Sequence, residues 1–176
     1  MFSRLFPGDH PEVAWSNHNV ASSLTALGSS AEALARSEEA LAMRRRLFPG
    51  DHPEVAESLN NVAYALGSLG RSGEALPKFE EALAMYQRLF PGEHRSVATS
   101  LNNLAWYLNG LGRPAEARPK FEEALPMLRR TLPADDWRIR GAEIGSASAL
   151  SKLGRYAQAE TVMVPAWEAI ANRPDV

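Results

Sequence analysis

The chain has 176 residues, 45% of them hydrophobic and 23% charged, with a formal net charge of −2. That is enough apolar material for a core, with no basic surplus that would point to nucleic acid. Cysteine is absent, which excludes disulfides and cysteine-based zinc sites. No run of about 18 apolar residues could span a membrane. Met1–His10 lacks the apolar stretch of a signal peptide, so the expectation is a soluble, cytoplasmic protein.

Self-similarity organises the rest. Arg4–Ala14 reads RLFPGDHPEVA, Arg46–Ala56 repeats it letter for letter, Arg88–Ala98 reads RLFPGEHRSVA, and Arg130–Arg140 is a worn copy, RTLPADDWRIR. The period is 42 each time, and the first two units agree at about 28 of 42 positions. A fixed period of this length marks a repeat architecture in which each unit completes its neighbour's core. The units run 4–45, 46–87, 88–129 and 130–171, within one domain.

Each unit carries two helical patterns. In the second, Val55, Leu59, Val62, Leu66 and Leu69 follow a 3.6-residue period, predicting an amphipathic helix. Asp51 followed by Glu54 fits a capping box, and Pro53 suits a first turn. Gly70 is a natural stop, and Ser72 is the expected cap of the next helix. That helix places Ala75, Leu76, Phe79, Ala82, Leu83 and Tyr86 on one face, until Phe90-Pro91-Gly92 ends it. Ala63 and Ala82, with Ala21, Ala40, Ala105 and Ala124 at the matching positions, keep the paired helices close. The prediction is eight helices and no strand.

These residues resemble the tetratricopeptide repeat. With Gly70 on that motif's turn glycine, Leu59, Val62, Ala63, Leu66, Ala75, Phe79 and Ala82 fall on its signature positions. The strings HPEVAESLNNVA and GRSGEALPKFEEALAM look like the 42-residue variant found in kinesin light chains and in bacterial multidomain proteins. The resemblance implies an all-α fold, a right-handed α-solenoid of four helix–turn–helix repeats. It also implies a concave groove, lined by the first helices, that binds extended peptides. Asn17 and Ser37 replace Leu59 and Phe79 in the first repeat, which should pack less well. Glu143 stands at the Leu59 position of the last, leaving its register open by a residue or two.

The residues implied for the groove are Trp15, His18 and Asn19 in the first repeat, Asn60, Asn61 and Tyr64 in the second, and Asn102, Asn103 and Trp106 in the third. Asparagine offers a donor and an acceptor to an unpaired peptide backbone, and aromatic rings supply anchors. The competing reading of these amides is structural, as hydrogen bonds to the adjacent repeat. No lysine or arginine stands on this stripe to clamp a terminal carboxylate. His10, His52 and His94 recur once per repeat, too far apart to share a metal, and point to loop hydrogen bonding. Glu38-Glu39, Glu80-Glu81 and Glu122-Glu123 are read as solvated faces. Arg44-Arg45-Arg46 and Arg129-Arg130 suit the negative ends of their helices. Pro77 and Pro119 should loosen their helices, and kinks are expected at Pro126 and Pro165.

Neither a phosphate loop nor a nucleophile elbow is found. The expectation is a non-enzymatic interaction scaffold that needs no cofactor or metal and binds a protein or peptide rather than nucleic acid or membrane. The alternatives are a structural spacer or oligomerising arm, and the regulatory part of a larger protein. Ser3–Phe6 matches the tail of an outer helix, Arg45–Phe48, which suggests that the chain starts inside a longer array. Val162, Val164 and Trp167 make the last helix unusually apolar and mark an expected contact with a second copy or a following domain.

Overall fold

The computed structural model describes residues 8–171, with side chains to residue 164. Eight helices follow one another: α1 (Pro11–Ala26), α2 (Ser30–Leu47), α3 (Pro53–Ser68), α4 (Ser72–Leu89), α5 (Arg95–Gly110), α6 (Pro114–Thr131), α7 (Trp137–Lys152) and α8 (Tyr156–Ala171). No strand occurs among the described residues. The chain divides into two compact units, Met1–Pro91 and Gly92–Val176. In the first, α1 pairs with α2 and α3 with α4, while α2 packs on α3 and α1 lies beside α3. In the second, α5 pairs with α6 and α7 with α8, α6 packs on α7, and α5 lies beside α7. The register left open for the last repeat is settled: α7 starts and ends 42 residues after α5.

The helices begin one residue away from where their sequence suggests. Asp51 does not cap α3; His52 does, its Nδ1 accepting the Glu54 N–H at 3.3 Å. His10 and His94 cap α1 and α5 in the same way. Asp51 is drawn elsewhere, accepting both Nε and Nη2 of Arg88 at 2.6 and 2.8 Å. Asp9 takes Arg46 and Glu93 takes Arg130 in the same relation, tying each repeat's opening turn to the last turn of its second helix. Ser72 likewise opens α4 as its first residue, with Arg71 at the cap position. In the fourth repeat, where histidine gives way to Asp136, the carboxylate accepts the Arg138 N–H at 2.9 Å.

The ends of the first helices follow one rule. Gly70 has φ +73°, open to glycine without a Cβ penalty. Its N–H donates to Gly67 O, and the Arg71 N–H reaches back to Leu66 O at 2.9 Å. This is the pair of bonds that satisfies carbonyls at a helix end. The same pairs recur at Gly28, Gly112 and Gly154. Pro77, Pro119 and Pro126 lie inside α4 and α6, and α8 runs through Pro165; none of these helices ends at its proline.

The core is the set of faces that the hairpins turn toward one another. Leu59, Ala56, Ala63, Phe79, Ala75 and Ala82 are fully buried in the second repeat; Leu101, Ala98, Ala105, Phe121, Ala117 and Ala124 are their counterparts in the third. The first repeat is thinner, as its substitutions imply: α1 buries Val13, Ala14 and Ala21, against nine residues of α3. Glu143, at the Leu59 position of the fourth repeat, is held by the Arg129 guanidinium at 2.7 Å.

Replacing His52 with alanine removes the acceptor for the Glu54 N–H and the ring that stacks on Phe48 at 3.9 Å. Chemical denaturation should show a loss of about 1 kcal/mol, most of it restored by His52→Asn. Unchanged stability in His52→Ala would show that the cap contributes nothing.

Candidate binding face of the first helices

The expected groove residues divide by what they touch. Tyr64 and Trp106 occupy the same position of successive repeats and are 40% and 39% exposed. Each leans on a phenylalanine of its own repeat's second helix. Tyr64 meets Phe79 edge-on, centroids 5.0 Å apart at 87°, and Trp106 meets Phe121 at 5.9 Å and 90°. Both phenylalanines are fully buried. The edge-to-face geometry is the favoured one for aromatic pairs, so each outer ring is held in place while one side stays open to solvent.

The asparagines are not equivalent. Asn61 donates to Nδ1 of His18 at 2.8 Å, linking α3 to α1. Asn60 is buried, and its Oδ1 has no partner. Asn102, its counterpart in the third repeat, also has a buried Oδ1 without a partner. Asn102 has a physical explanation. The His18–Asn61 bond joins a position to the one 43 residues later; 43 residues beyond Asn102 stands Gly145, which has no side chain to answer it. Asn19 and Asn103 are partly exposed.

Gly145 is small for a reason. A Cβ there would overlap Phe121 Cζ, lie 2.6 Å from Phe121 Cε1 and 2.9 Å from Trp106 Cε2. The aromatic pair of the third repeat therefore occupies the space that a side chain at 145 would need.

Arg44 is the residue that the sequence reading placed wrongly. It does not dress a helix end in solvent: it is 1% exposed. Its Nη1 donates to Glu54 O at 3.0 Å, Glu57 Oε2 at 3.2 Å and Ser58 Oγ at 2.8 Å, and its Nε lies 3.1 Å from Glu54 Oε2. A buried guanidinium needs such partners to offset its desolvation. The equivalent residues are Tyr86 and Leu128, both buried, so a cation in a column of core residues was the available signal. Arg45 and Arg46 do point outward, to Glu81 and Asp9. Trp15, 57% exposed, shares with Arg44, Pro11, Glu12, Glu54 and Glu57 an open cleft of about 540 Å³.

His18 sits between these groups. Nε2 lies 3.7 Å from Glu57 Oε1, while in the neutral ring Nδ1 accepts from Asn61. Burial holds its pKa below the usual 6.5, and Arg44 adds to that, while Glu57 and Glu54 pull the other way. In the fourth repeat Val162 packs partly buried against Ala147, Leu150 and Ala159 of the α7–α8 pair, and Val164 is exposed at 45%. The Trp167 side chain and Ser3–Phe6 lie outside the described residues. Among the described residues, no group of His, Asp and Glu could hold a metal ion, and no helix is long and apolar enough to cross a membrane.

The family model for the tetratricopeptide repeat matches residues 12–88 and 56–130. Solved structures share the fold. A Podosopora anserina protein of kinesin-light-chain type, with nearly identical tetratricopeptide-like repeats, is 22% identical with a TM-score of 0.75, over 99% of this chain and 82% of that one. BtubC (BKLC) from P. vanneervenii is 19% identical with a TM-score of 0.83, covering 99% and 71%. A tetratricopeptide-like protein from Chlorobium tepidum is 25% identical with a TM-score of 0.58, covering 83% and 93%. No curated protein matches the chain.

Two measurements check this geometry. An unfolded histidine binds more protons than His18 does, so folding stability should be complete above pH 6.5 and fall as pH drops below it. An NMR titration of His18 should give a midpoint under 6.5, lower still in Glu57→Gln; a midpoint at or above 6.5 would contradict the site. Gly145→Ala should gain about 1 kcal/mol of helix propensity yet lose more by crowding two braced rings, which costs about 1–3 kcal/mol. A net increase in Tm would overturn that packing account.

Proposed function

The chain belongs to the tetratricopeptide repeat family, and from that premise we propose that the exposed face of its first helices binds an extended segment of a partner protein. Repeats of this family generally mediate contacts between proteins. The observation that carries the finer reading is the bracing of Tyr64 and Trp106. Each is a large aromatic residue on the outward side of a first helix, fixed edge-on by a buried phenylalanine. Binding hot spots are enriched in tyrosine and tryptophan, and a ring already ordered loses less freedom when a partner lands on it. Each ring is an anchor in its own right. Asn19 and Asn103, partly exposed on the same stripe, offer amides to the partner's backbone, whereas Asn61 is engaged with His18.

Among the described residues of the first unit, the cation beside this face, Arg44, is consumed by Glu54, Glu57 and Ser58. An acidic terminus therefore finds no counter-charge there. A segment with apolar side chains and a free backbone fits the face better.

A displayed random-peptide library, selected on the intact protein, tests the proposal. Retained peptides should lose at least tenfold in affinity, about 1.4 kcal/mol, on Tyr64→Ala or Trp106→Ala, while Tyr64→Phe keeps most of it. Selection of no peptide, or binding indifferent to both alanine variants, would sink the reading.

A further inference from the structure

The repeats supply their own template for what is missing. In the second and third, position 64 or 106 carries an aromatic ring, and position 79 or 121 carries the phenylalanine beneath it. The first repeat has Ser22 and Ser37 at those places. Both rings are gone at once. A half-open cavity of about 180 Å³ lies beside Ser22, bounded by Ala21, Ser22 and Thr25 of α1 and by Asn61 and Tyr64 of α3; buried Ser37 is not part of its wall. An apolar void of about 150 Å³ is enough to hold a benzene ring.

The lining is less polar than its residue names suggest. Ser22 Oγ donates to His18 O at 3.1 Å, and Thr25 Oγ1 donates to Ala21 O at 2.9 Å. The Asn61 amide is turned to His18 Nδ1. These bonds occupy the two hydroxyl donors and one amide N–H of the wall, so methyl and methylene groups and the Tyr64 ring make up the larger part of what a guest meets. A phenyl group meets such a wall without needing a hydrogen-bond partner of its own. Tyr64 also offers a ring for edge-to-face contact.

We propose that this cavity receives a phenylalanine side chain of the bound segment, the partner thereby restoring the ring that the first repeat lacks. The inference rests on the peptide-binding reading of the first-helix face and gives it a specificity. Within the first unit, the second repeat presents a ring to the partner and the first accepts one from it.

N-acetyl-L-phenylalaninamide is the probe, with N-acetyl-L-alaninamide as the control. In the full chain, NMR should show saturable shifts at Ala21, Thr25 and Tyr64, with intermolecular contacts from the phenyl protons to the Thr25 methyl. The alanine compound should give none. Ser22→Tyr combined with Ser37→Phe rebuilds the internal pair. It should weaken the probe at least tenfold while preserving helicity. Should that variant fail to fold, the intermolecular contacts in the wild-type chain decide alone. Absence of saturable shifts in the wild type, or equal binding by a folded filled variant, overturns the pocket. The two readings fail separately. Probe binding with no peptide selected rejects the peptide face and keeps the pocket; selected peptides indifferent to phenylalanine reject the pocket and keep the face.

Discussion

Close approach of paired helices is the constraint on which the other features depend. Ala21, Ala63 and Ala105 on the first helices, and Ala40, Ala82 and Ala124 on the second, are all at most 1% exposed. A side chain of one carbon lets two helices approach toward the lower end of the usual 8–10 Å separation. At that distance the flanking leucines and phenylalanines interlock, and each hairpin presents an apolar flank that only another hairpin can cover. The histidine caps and the glycine turns serve the same end, because they fix where each helix starts and stops and so hold the alanines opposite each other.

Once that spacing is set, the two sides of a hairpin take different tasks. The outer ends carry exposed ion pairs such as Arg88–Asp51 and Arg46–Asp9, whose carboxyls are held below the usual range by the guanidinium hydrogen bonds. Exposed pairs of this kind weaken with salt and say little about binding. The first-helix side carries the braced rings, the asparagines and the cavity beside Ser22. The repeats differ there at key positions: Ser22, Tyr64 and Trp106 share one position, and so do His18, Asn60 and Asn102. Helices that recur in the same register with different side chains on one face are how a repeated fold acquires distinct subsites.

The fold was legible because its signals are local and recur. Period, helix pairs, turn glycines and alanine columns all follow from residues within one unit, and α7 keeps the 42-residue register even where its leucine became Glu143. The caps were misplaced by one residue because Asp51 is a better capping residue than His52 by type, and only its bond to Arg88, 37 residues away, removes it from contention. That pairing recurs with the period and could have been found by asking what Arg46, Arg88 and Arg130 share. Arg44 was read as a helix end because its partners come from the next repeat, although its counterparts Tyr86 and Leu128 marked the position as core. The groove stripe was visible as a stripe, but not the division within it: Asn61 is tied to His18, 43 residues earlier, whereas Gly145, 43 residues beyond Asn102, has no side chain to offer. Ser37 was read as poor packing; that Ser22 stands where the later repeats carry a ring, and borders a cavity, becomes plain only when those rings are seen in contact.

Thermal and denaturant unfolding of Ala63→Leu, set beside Ala42→Leu, bears most directly on the alanine contact. Ala63 is fully buried between α3 and its neighbours, while Ala42 is exposed on α2. The same three added carbons should lower stability by about 1–3 kcal/mol or more at Ala63 and leave Ala42→Leu close to wild type. Equal tolerance at the two positions would mean that the helices need not approach closely, and that something other than the alanine columns sets the spacing of the repeats.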